Sequence, residues 1–331
     1  MPEMFTRLCK NLSLDQEVFL RELLARNIDV EIIDPVLGVL KTNLNGHEEL
    51  FFEKDSSIMP YSVAVIAGDK VLAKKLMESK NISIPKGIHF DSLDPKPIKK
   101  AFLSMGRTAV LKPSFGSGGK GVFPNIKTTN ELTYAVSELE KSRGRNTKVI
   151  LEEHFRGKEY RVLLTKNGDY VAAYRDPAHI IGDGKNTVAD LVKKENHLRT
   201  KVIFTALAEI KLGNEAKRVL KDNDMDIKTV PGNNEKIYLS YVSNNLAGGT
   251  FEDCTDSVHP SVIENCKKVL TAFPGLPYAG IDYMTDDIAT EQKDYRILEV
   301  NTNPNLFAHA APSHGASRNA AKLIVDLIYP A

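Results

Sequence analysis

The chain has no tryptophan and only three cysteines among its 331 residues. Cys9, Cys254 and Cys266 form no C-x-x-C pair and leave an odd number, which indicates neither a zinc site of paired cysteines nor a disulfide framework. Long apolar runs are also missing, because none approaches the roughly 20 residues of a membrane helix. Residues 1–20 lack the apolar centre of a signal peptide. These absences predict a cytoplasmic protein.

An excess of charge of one sign is missing as well. The 44 basic and 43 acidic residues leave a net charge of +1 and are dispersed along the chain. Such a distribution creates no field suited to nucleic acid or to an anionic membrane surface. A composition of 42% hydrophobic and 26% charged residues is that of a globular protein with a large core. We therefore expect small-molecule substrates, with neither nucleic acid nor membrane as a partner.

The most informative segment lies at residues 110–122 and reads VLKPSFGSGGKGV. A strand-like run ends near Lys112, and a loop with four glycines follows it. Glycine permits positive φ angles and lets backbone N–H groups converge on phosphate oxygens. The loop has neither the closing Gly-Lys-Ser/Thr of a Walker loop nor the G-x-G-x-x-G of a dinucleotide-binding fold. Taken alone, it fits a phosphate-binding loop and a tight hairpin equally well.

Two short apolar runs near the end of the chain present oxygen-bearing side chains. Asp282 lies in the first run, and Glu299 and Asn301 lie two residues apart in the second. Residues i and i+2 of a strand face the same way, so Glu299 and Asn301 would stand side by side. Three such oxygen ligands suit Mg²⁺. A half-buried strand with polar ends is the alternative, but the glycine loop upstream favours the metal site.

Helix and strand patterns alternate along the chain. Capping boxes at Ser13–Gln16 and Thr128–Glu131 predict two helix starts, and residues 30–33 and 148–153 read as strands. The resulting fold class is α/β. Up to about Ser57, the order of helix and strand predicts a truncated open α/β layer.

The motifs resemble those of the ATP-grasp superfamily of carboxylate–amine ligases. The order is Lys70, then Lys112 with its glycine loop, then the segment from Glu152 to Glu159, and finally the three metal-ligand candidates. Within the superfamily, the likeness is to the ATP-grasp module of cyanophycin synthetase and of the bifunctional glutamate–cysteine ligase/glutathione synthetase. It extends from about Tyr61 to the end of the chain.

Three further segments resemble signatures of that branch. Residues 173–187 are similar to R-x-P-A-H-V-x-G-D-G-x-x-T, and residues 248–256 are similar to G-G-x-x-x-D-x-T-D. Residues 301–318 are similar to N-x-N-P followed by H-x-x-P-x-x-G-x-x-R. Three separated signatures in the same order argue against a chance resemblance.

The resemblance implies an α+β ATP-grasp fold in which two lobes clamp ATP. It implies three regions: an N-terminal α/β segment at 1–60, a small lobe with the glycine loop at 61–154, and a C-terminal lobe with the metal and substrate sites at 155–331. In this arrangement, Lys70 and Lys112 would contact the ATP phosphates, and Glu159 would contact the ribose. The full nucleotide-binding set comprises Lys70, Lys112, Ser117, Gly118, Gly119, Glu152, Glu153, Phe155 and Glu159.

The resemblance also implies the remaining roles. Asp282, Glu299 and Asn301 would bind one or two Mg²⁺ ions, with Mn²⁺ as an alternative. The catalytic residues would be Lys112, Arg175 and Asn301. The substrate-binding set comprises Arg175, His179, Asn244, Gly248, Gly249, Asn303, His309 and Arg318. A structural role stays open for His179, and capping of the last helix stays open for Arg318.

One departure from the family pattern limits the inference about the substrate. Where the relatives have S-N-x-S-T-G-G, residues 243–249 read SNNLAGG, so Leu246 and Ala247 replace two hydroxyl side chains. Asp176 also stands where an apolar residue is usual. The carboxylate donor is therefore expected to differ from γ-glutamylcysteine or a polyaspartate end.

The predicted function is ATP-dependent amide-bond formation between small amino acids or peptides, through an acyl phosphate and with release of ADP and phosphate. Two alternatives belong to other classes. An ATP-grasp kinase would phosphorylate a hydroxyl group without needing an amine, and a regulatory protein would bind nucleotide without turnover. The intact lysines and metal-ligand candidates disfavour the regulatory protein. A homo-oligomer, either dimer or tetramer, is expected from the relatives.

Overall fold

The computed structural model describes residues 12–106, 108–116, 118–200, 207–243 and 247–330. It begins with helix α1 (Leu14–Ala25) and a three-stranded antiparallel sheet of β1 (Asp29–Asp34), β2 (Val39–Leu44) and β3 (His47–Phe52). The open α/β layer expected here is therefore wrong in its connectivity. Asn45 and Gly46 both have positive φ angles, 54° and 86°, as the tight hairpin turns that join antiparallel strands require.

A four-stranded antiparallel sheet carries the glycine loop. Its strand order is β4-β7-β5-β6, and the loop connects β5 to β6. Helices α4 and α5 pack against this sheet around a separate hydrophobic core that runs from Leu93 to Leu151. The elements, in chain order, are β4 (Gly87–Phe90), α4 (Pro95–Met105), β5 (Ala109–Pro113), β6 (Phe123–Ile126), α5 (Thr129–Arg143) and β7 (Val149–Glu153).

A five-stranded antiparallel sheet forms the centre of the molecule, with strand order β12-β9-β8-β13-β14. Its strands are β8 (Lys158–Thr165), β9 (Tyr170–Asp176), β12 (Thr250–Asp253), β13 (Tyr278–Thr285) and β14 (Arg296–Asn301). Five helices lie around it or against one another: α2 (Tyr61–Gly68), α3 (Lys70–Ser79), α8 (Pro260–Ala272), α9 (Phe307–Ala310) and α10 (Ala320–Ile328).

A third unit is inserted between β9 and β12. It contains β10 (His179–Ile181), α6 (Val188–Arg199), α7 (Asn214–Asp222) and β11 (Lys236–Tyr238), with a small core of its own. Helix α7 contacts the glycine-loop sheet, because Arg218 donates a hydrogen bond to the Pro124 carbonyl at 3.0 Å and Asp222 accepts one from Asn125 at 3.3 Å. The inserted unit therefore bridges to strand β6.

The N-terminal unit shares its hydrophobic core with the five-stranded sheet. Phe19 and Phe51 belong to the same cluster of buried side chains as Tyr278 and Ile281 of β13. Residues of α2 and α3 also pack into this cluster, although the sequence assigned them to the small lobe. The boundaries at residues 60 and 154 stay predictions about separable regions. Within the described residues, no helix has the length and apolar character needed to cross a membrane.

We expect Phe51→Ala to lower the free energy of unfolding by about 3–5 kcal/mol, because the side chain is fully buried in edge-to-face contact with Phe19. The neighbouring Phe52 is 57% exposed and is the matched control, with an expected loss of less than about 0.5 kcal/mol. Urea unfolding monitored by circular dichroism measures both. Equal losses for the two variants would contradict a shared core.

Candidate active site

A cavity lies between the glycine loop and strands β8, β9, β13 and β14. Its lining includes five cationic and three acidic side chains. The cations are Lys70, Lys112, Lys120, Arg161 and Arg175, and the acids are Glu159, Asp282 and Glu299. An excess of positive charge around a concave site favours an anionic ligand. Gly118, Gly119 and Asn301 line the same cavity.

Lys70 joins the glycine loop to strand β14. Asp69 caps α3 by accepting hydrogen bonds from the backbone N–H groups of Val71 and Leu72, which places Lys70 in the first turn. The Lys70 ammonium donates a hydrogen bond to the Gly116 carbonyl at 2.7 Å and lies 3.1 Å from the Glu299 carboxylate. One cation thus holds together the predicted phosphate loop and one of the predicted metal ligands.

The glycine loop needs its glycines. Gly116, Gly118, Gly119 and Gly121 have φ angles of 130°, 64°, 68° and 82°, which side chains with a Cβ rarely adopt. The loop also connects two antiparallel strands, so the hairpin alternative describes its connectivity correctly. Ser117 lies outside the described residues. The backbone geometry fits both a hairpin and a phosphate-binding loop, and the lysines beside it favour the second.

A buried triad of charges positions Lys112. The Glu152 carboxylate lies 2.5 Å from the Lys112 ammonium and 2.9 Å from that of Lys74, and all three side chains are buried. Burial alone would raise the pKa of Glu152, but the two lysines outweigh it and hold the pKa below its usual range. Burial lowers the pKa of Lys74. Glu152, predicted as part of the nucleotide-binding set, is thus already paired with two lysines.

A second buried network surrounds Asp282. Its carboxylate pairs with the guanidinium groups of Arg161 and of Arg175, the latter at 3.1 Å. Arg175 also lies 2.5 Å from Glu159. Burial would raise the pKa of Asp282, but the two arginines keep it lowered. At Glu159, burial dominates and the pKa is raised.

Glu299 and Asn301 both line the cavity, as their spacing on a strand predicted. Glu299 pairs in register with Asp282 of β13, next to an irregularity between Asp282 and Tyr283. Asn301 donates its amide N–H to the Gly280 carbonyl at 3.2 Å, which leaves the side-chain oxygen to accept or coordinate. Two carboxylates and an amide oxygen on adjacent strands fit the donor preference of a hard divalent cation. The described residues contain no group of three or more His, Cys, Asp or Glu side chains placed to hold a metal ion.

Two of the predicted substrate-binding residues, Arg318 and Asn303, pair with other side chains of the protein. Arg318 pairs with Asp253 at 2.7 Å and with Asp256 at 2.6 Å, and the cap of α10 is Asn319 instead. The Asn303 amide donates a hydrogen bond to Glu53. None of these groups lines the cavity, and a role in binding a substrate carboxylate stays a prediction for each.

His309, predicted as part of the substrate-binding set, is not among the residues that line the cavity. Its ring is fully buried, and neither nitrogen has a hydrogen-bond partner in the described structure. Burial lowers its pKa to about 3, with a further contribution from Arg161. The imidazole is therefore neutral near pH 7 and cannot pair with a carboxylate by charge.

The other predicted positions are not among the described residues that line the cavity. His179 contacts the Pro177 carbonyl at 2.9 Å, in keeping with its structural alternative. The Gly248 carbonyl accepts a hydrogen bond from Arg199 at 2.8 Å, and Gly249 precedes β12. Glu153 lies 3.6 Å from Arg296, whose guanidinium covers the Phe155 ring. Asn244 and Leu246 lie outside the described residues.

Sequence reasoning missed two cations that line the cavity, Arg161 and Lys120, and one that pairs with Glu152, Lys74. Arg161 stands two residues after Glu159 on β8, so the same strand rule that paired Glu299 with Asn301 indicates that it shares a face with Glu159. Lys74 lies four residues after Lys70, on the same face of α3. Lys120 lies within the glycine loop itself.

The chain is similar in sequence to one protein family and to several known enzymes. Residues 68–187 match the family described as phosphoribosylglycinamide synthetase, ATP-grasp (A) domain. The glutathione biosynthesis bifunctional protein GshAB of Clostridium perfringens is 32% identical over 330 residues, which cover 97% of this chain and 41% of that protein. Cyanophycin synthetase of Trichormus variabilis is 30% identical over 269 residues, which cover 80% of this chain and 29% of the relative.

The fold has a counterpart among solved structures. The crystal structure of a bifunctional glutathione synthetase from Pasteurella multocida aligns with a TM-score of 0.67 at 24% identity, covering 97% of this chain and 44% of that one. At this identity the likeness concerns the fold alone, and it confirms the expected fold class. The chain spans less than half the length of each of these relatives.

The Glu152 triad predicts an asymmetric response to substitution. Glu152→Gln leaves two lysines facing each other in a buried site and should cost about 3–5 kcal/mol of unfolding free energy. Lys74→Met should cost less, because Glu152 keeps Lys112. The double variant should lose less than the sum of the two single variants. Urea unfolding checks this, with exposed Lys75→Met as the control; strictly additive losses would contradict the triad.

His309 predicts a pH dependence of stability. A pKa of about 3 in the folded protein lies below the ordinary value of about 6.5, so the unfolded chain binds the proton and stability falls as the pH drops between these values. His309→Leu should remove about 1 kcal/mol of the loss between about pH 6 and pH 5. His89→Leu, on the exposed part of β4, is the control. Parallel pH curves for His309→Leu and the wild type would contradict the assignment.

Proposed function

Because residues 68–187 match an ATP-grasp domain family and the chain is 32% identical to GshAB of Clostridium perfringens, we propose that it is a member of the ATP-grasp superfamily and acts as an ATP-dependent carboxylate–amine ligase. The observation that carries the proposal is that one cavity is lined by Lys70, Lys112 and the glycine loop together with Asp282, Glu299 and Asn301. A phosphate-binding loop beside oxygen ligands for a divalent cation is what phosphoryl transfer from ATP requires.

The chemistry follows from the poor reactivity of a carboxylate. One carboxylate oxygen of the donor attacks the γ-phosphorus of ATP, and the bond to the β,γ-bridging oxygen breaks, which releases ADP. An amine then attacks the carbonyl carbon of the acyl phosphate. The resulting tetrahedral intermediate expels phosphate, the amine nitrogen loses its proton, and an amide remains. The protein contributes positioning and charge stabilisation to both steps.

Lys70, Lys112 and the backbone N–H groups of the loop are assigned to the phosphates of ATP, Lys112 with a catalytic role. Arg175 is assigned to the transferring phosphoryl group and the acyl phosphate, because a planar guanidinium binds phosphate oxygens through two hydrogen bonds. Arg161 lies on the same carboxylate, Asp282, and we add it to this role. Glu159 is assigned to the ribose.

The donor set fits Mg²⁺, with Mn²⁺ as an alternative. Asp282, Glu299 and Asn301 would hold one or two ions through their side-chain oxygens, and Asn301 is placed among the catalytic residues for this reason. A divalent cation bound there offsets the charge of the β- and γ-phosphates. At Asp282, the two neighbouring arginines outweigh burial and keep the pKa of the carboxyl group below its ordinary value.

The substrates proposed are amino acids or short peptides. The relatives are named for glutathione biosynthesis and for cyanophycin synthesis, both of which concern amide bonds between amino acids. Leu246 and Ala247 argue for a donor other than theirs, since two hydroxyl side chains are lost. A cytoplasmic homo-oligomer, dimer or tetramer, completes the proposal.

The deciding experiment is ATP turnover with Mg²⁺ and pooled amino acids and dipeptides, with ADP and phosphate measured and products identified by mass. A ligase needs both a carboxylate and an amine, and its product is lighter than the two substrates by one water. ADP formation with a phosphorylated product and no amine requirement would replace the ligase with a kinase. Nucleotide binding without turnover on any pool would favour the regulatory alternative.

Glu299→Gln should lower turnover at least about a hundredfold, because a neutral amide is a weaker ligand for a divalent cation and no longer pairs with Lys70. Circular dichroism should show the fold intact. Glu291→Gln, in an exposed loop with 69% of the side chain accessible, is the control. Full activity of Glu299→Gln would remove this residue from the site.

A further inference from the structure

We propose that Arg143, the last residue of α5, is a positioning residue that holds the glycine loop in its anion-binding shape. The inference rests on the proposed ATP-dependent function. Arg143 lies outside every motif that resembles the family, and its side chain contacts the backbone of the loop.

The contacts bridge the two ends of the loop. One terminal nitrogen of the Arg143 guanidinium, Nη1, donates a hydrogen bond to the Phe115 carbonyl at 3.1 Å, and the other, Nη2, donates one to the Lys120 carbonyl at 3.0 Å. The guanidinium is planar and rigid. A single group therefore fixes the separation of the two backbone positions that flank residues 116–119.

Peptide planarity extends this effect to the N–H groups. In a trans peptide, the C=O of one residue and the N–H of the next point in opposite directions. Because the Phe115 and Lys120 carbonyls point to Arg143, the N–H groups of Gly116 and Gly121 point away from α5. Gly116 and Lys120 line the cavity, whereas its described lining includes no residue of α5. Arg143 thus orients the carbonyls of Phe115 and Lys120 towards α5 and the N–H groups of the following residues towards the opposite side of the loop.

The glycines at both ends of the loop make room for this side chain. A Cβ at Gly116 would lie 2.9 Å from Nη2 of Arg143, and one at Gly121 would lie 3.4 Å from its Nε and 2.8 Å from a methyl carbon of Leu139. Both positions also have positive φ angles. Glycine at positions 116 and 121 therefore leaves room for the Arg143 guanidinium against the loop. This requirement is separate from the phosphate that the loop would bind.

A basic residue in the last turn of a helix also complements the helix dipole, and this is the competing explanation for Arg143. Lys141 lies in the same turn and pairs with Glu138 at 2.9 Å. Lys141 carries the same charge near the same helix end without a described contact to the loop. It is therefore the matched control.

The test is calorimetric binding of a non-hydrolysable ATP analogue with Mg²⁺ to the wild type, Arg143→Met, Arg143→Lys and Lys141→Met. Arg143→Met should weaken binding about tenfold, the effect of losing one to two hydrogen bonds. Arg143→Lys should fall between it and the wild type, since one ammonium cannot span both carbonyls. Lys141→Met should bind as the wild type does.

In steady-state kinetics, Arg143→Met should raise KM for ATP and leave kcat within about twofold. The reason is that bound ATP restores the anion-binding shape of the loop.

Two results would overturn the proposal in distinguishable ways. If the wild type binds the analogue and Arg143→Met binds it equally well, with only a lower urea midpoint, then Arg143 stabilises the helix end and does not position the loop. If the wild type does not bind the analogue, the nucleotide-dependent function fails and the inference fails with it.

Discussion

The site depends on the burial of opposite charges between adjacent strands. Asp282, Arg161 and Arg175 lie on the neighbouring strands β13, β8 and β9, and the carboxylate is shared by both guanidiniums. Removing one partner from such a group leaves an uncompensated charge in a desolvated place, which is far more costly than the pairing is favourable. The register of the sheet is thereby linked to the chemistry, because a shift of one residue would turn every one of these groups to the opposite face.

The Glu152 triad applies the same constraint to the other lobe. There, one carboxylate separates two lysines that would otherwise repel each other, and Lys112 is held at the edge of the cavity. Lys70 adds a separate link, because its ammonium contacts both the glycine loop and Glu299 of β14. The charged residues of the cavity are therefore supported by partners behind them, and we interpret the site as preorganised for a multiply charged anion.

Local patterns were sufficient to predict many of the elements from the sequence. Both capping boxes are present, at Ser13 and Thr128, and the i, i+2 rule placed Glu299 beside Asn301. The antiparallel N-terminal sheet was not predicted, because a helix followed by a strand is also how an α/β layer begins, and only the Asn45–Gly46 pair indicates a hairpin. The pairings of Arg318 with Asp253 and of Asn303 with Glu53 could not be predicted from motifs, since the partners are distant in sequence and only the fold brings them together.

The pairing of Arg318 with Asp253 joins two of the family-like signatures into one structural unit. The Asp253 N–H donates to the His314 carbonyl at 2.9 Å, and a Cβ at Gly315 would lie 2.9 Å from the Asp253 side chain. Residues 248–256 and 301–318 therefore pack against each other, whether or not a ligand is bound. A chimaera that exchanges the C-terminal segment with that of a related enzyme would have to transfer both segments together, because each supplies half of the same interlocking contact.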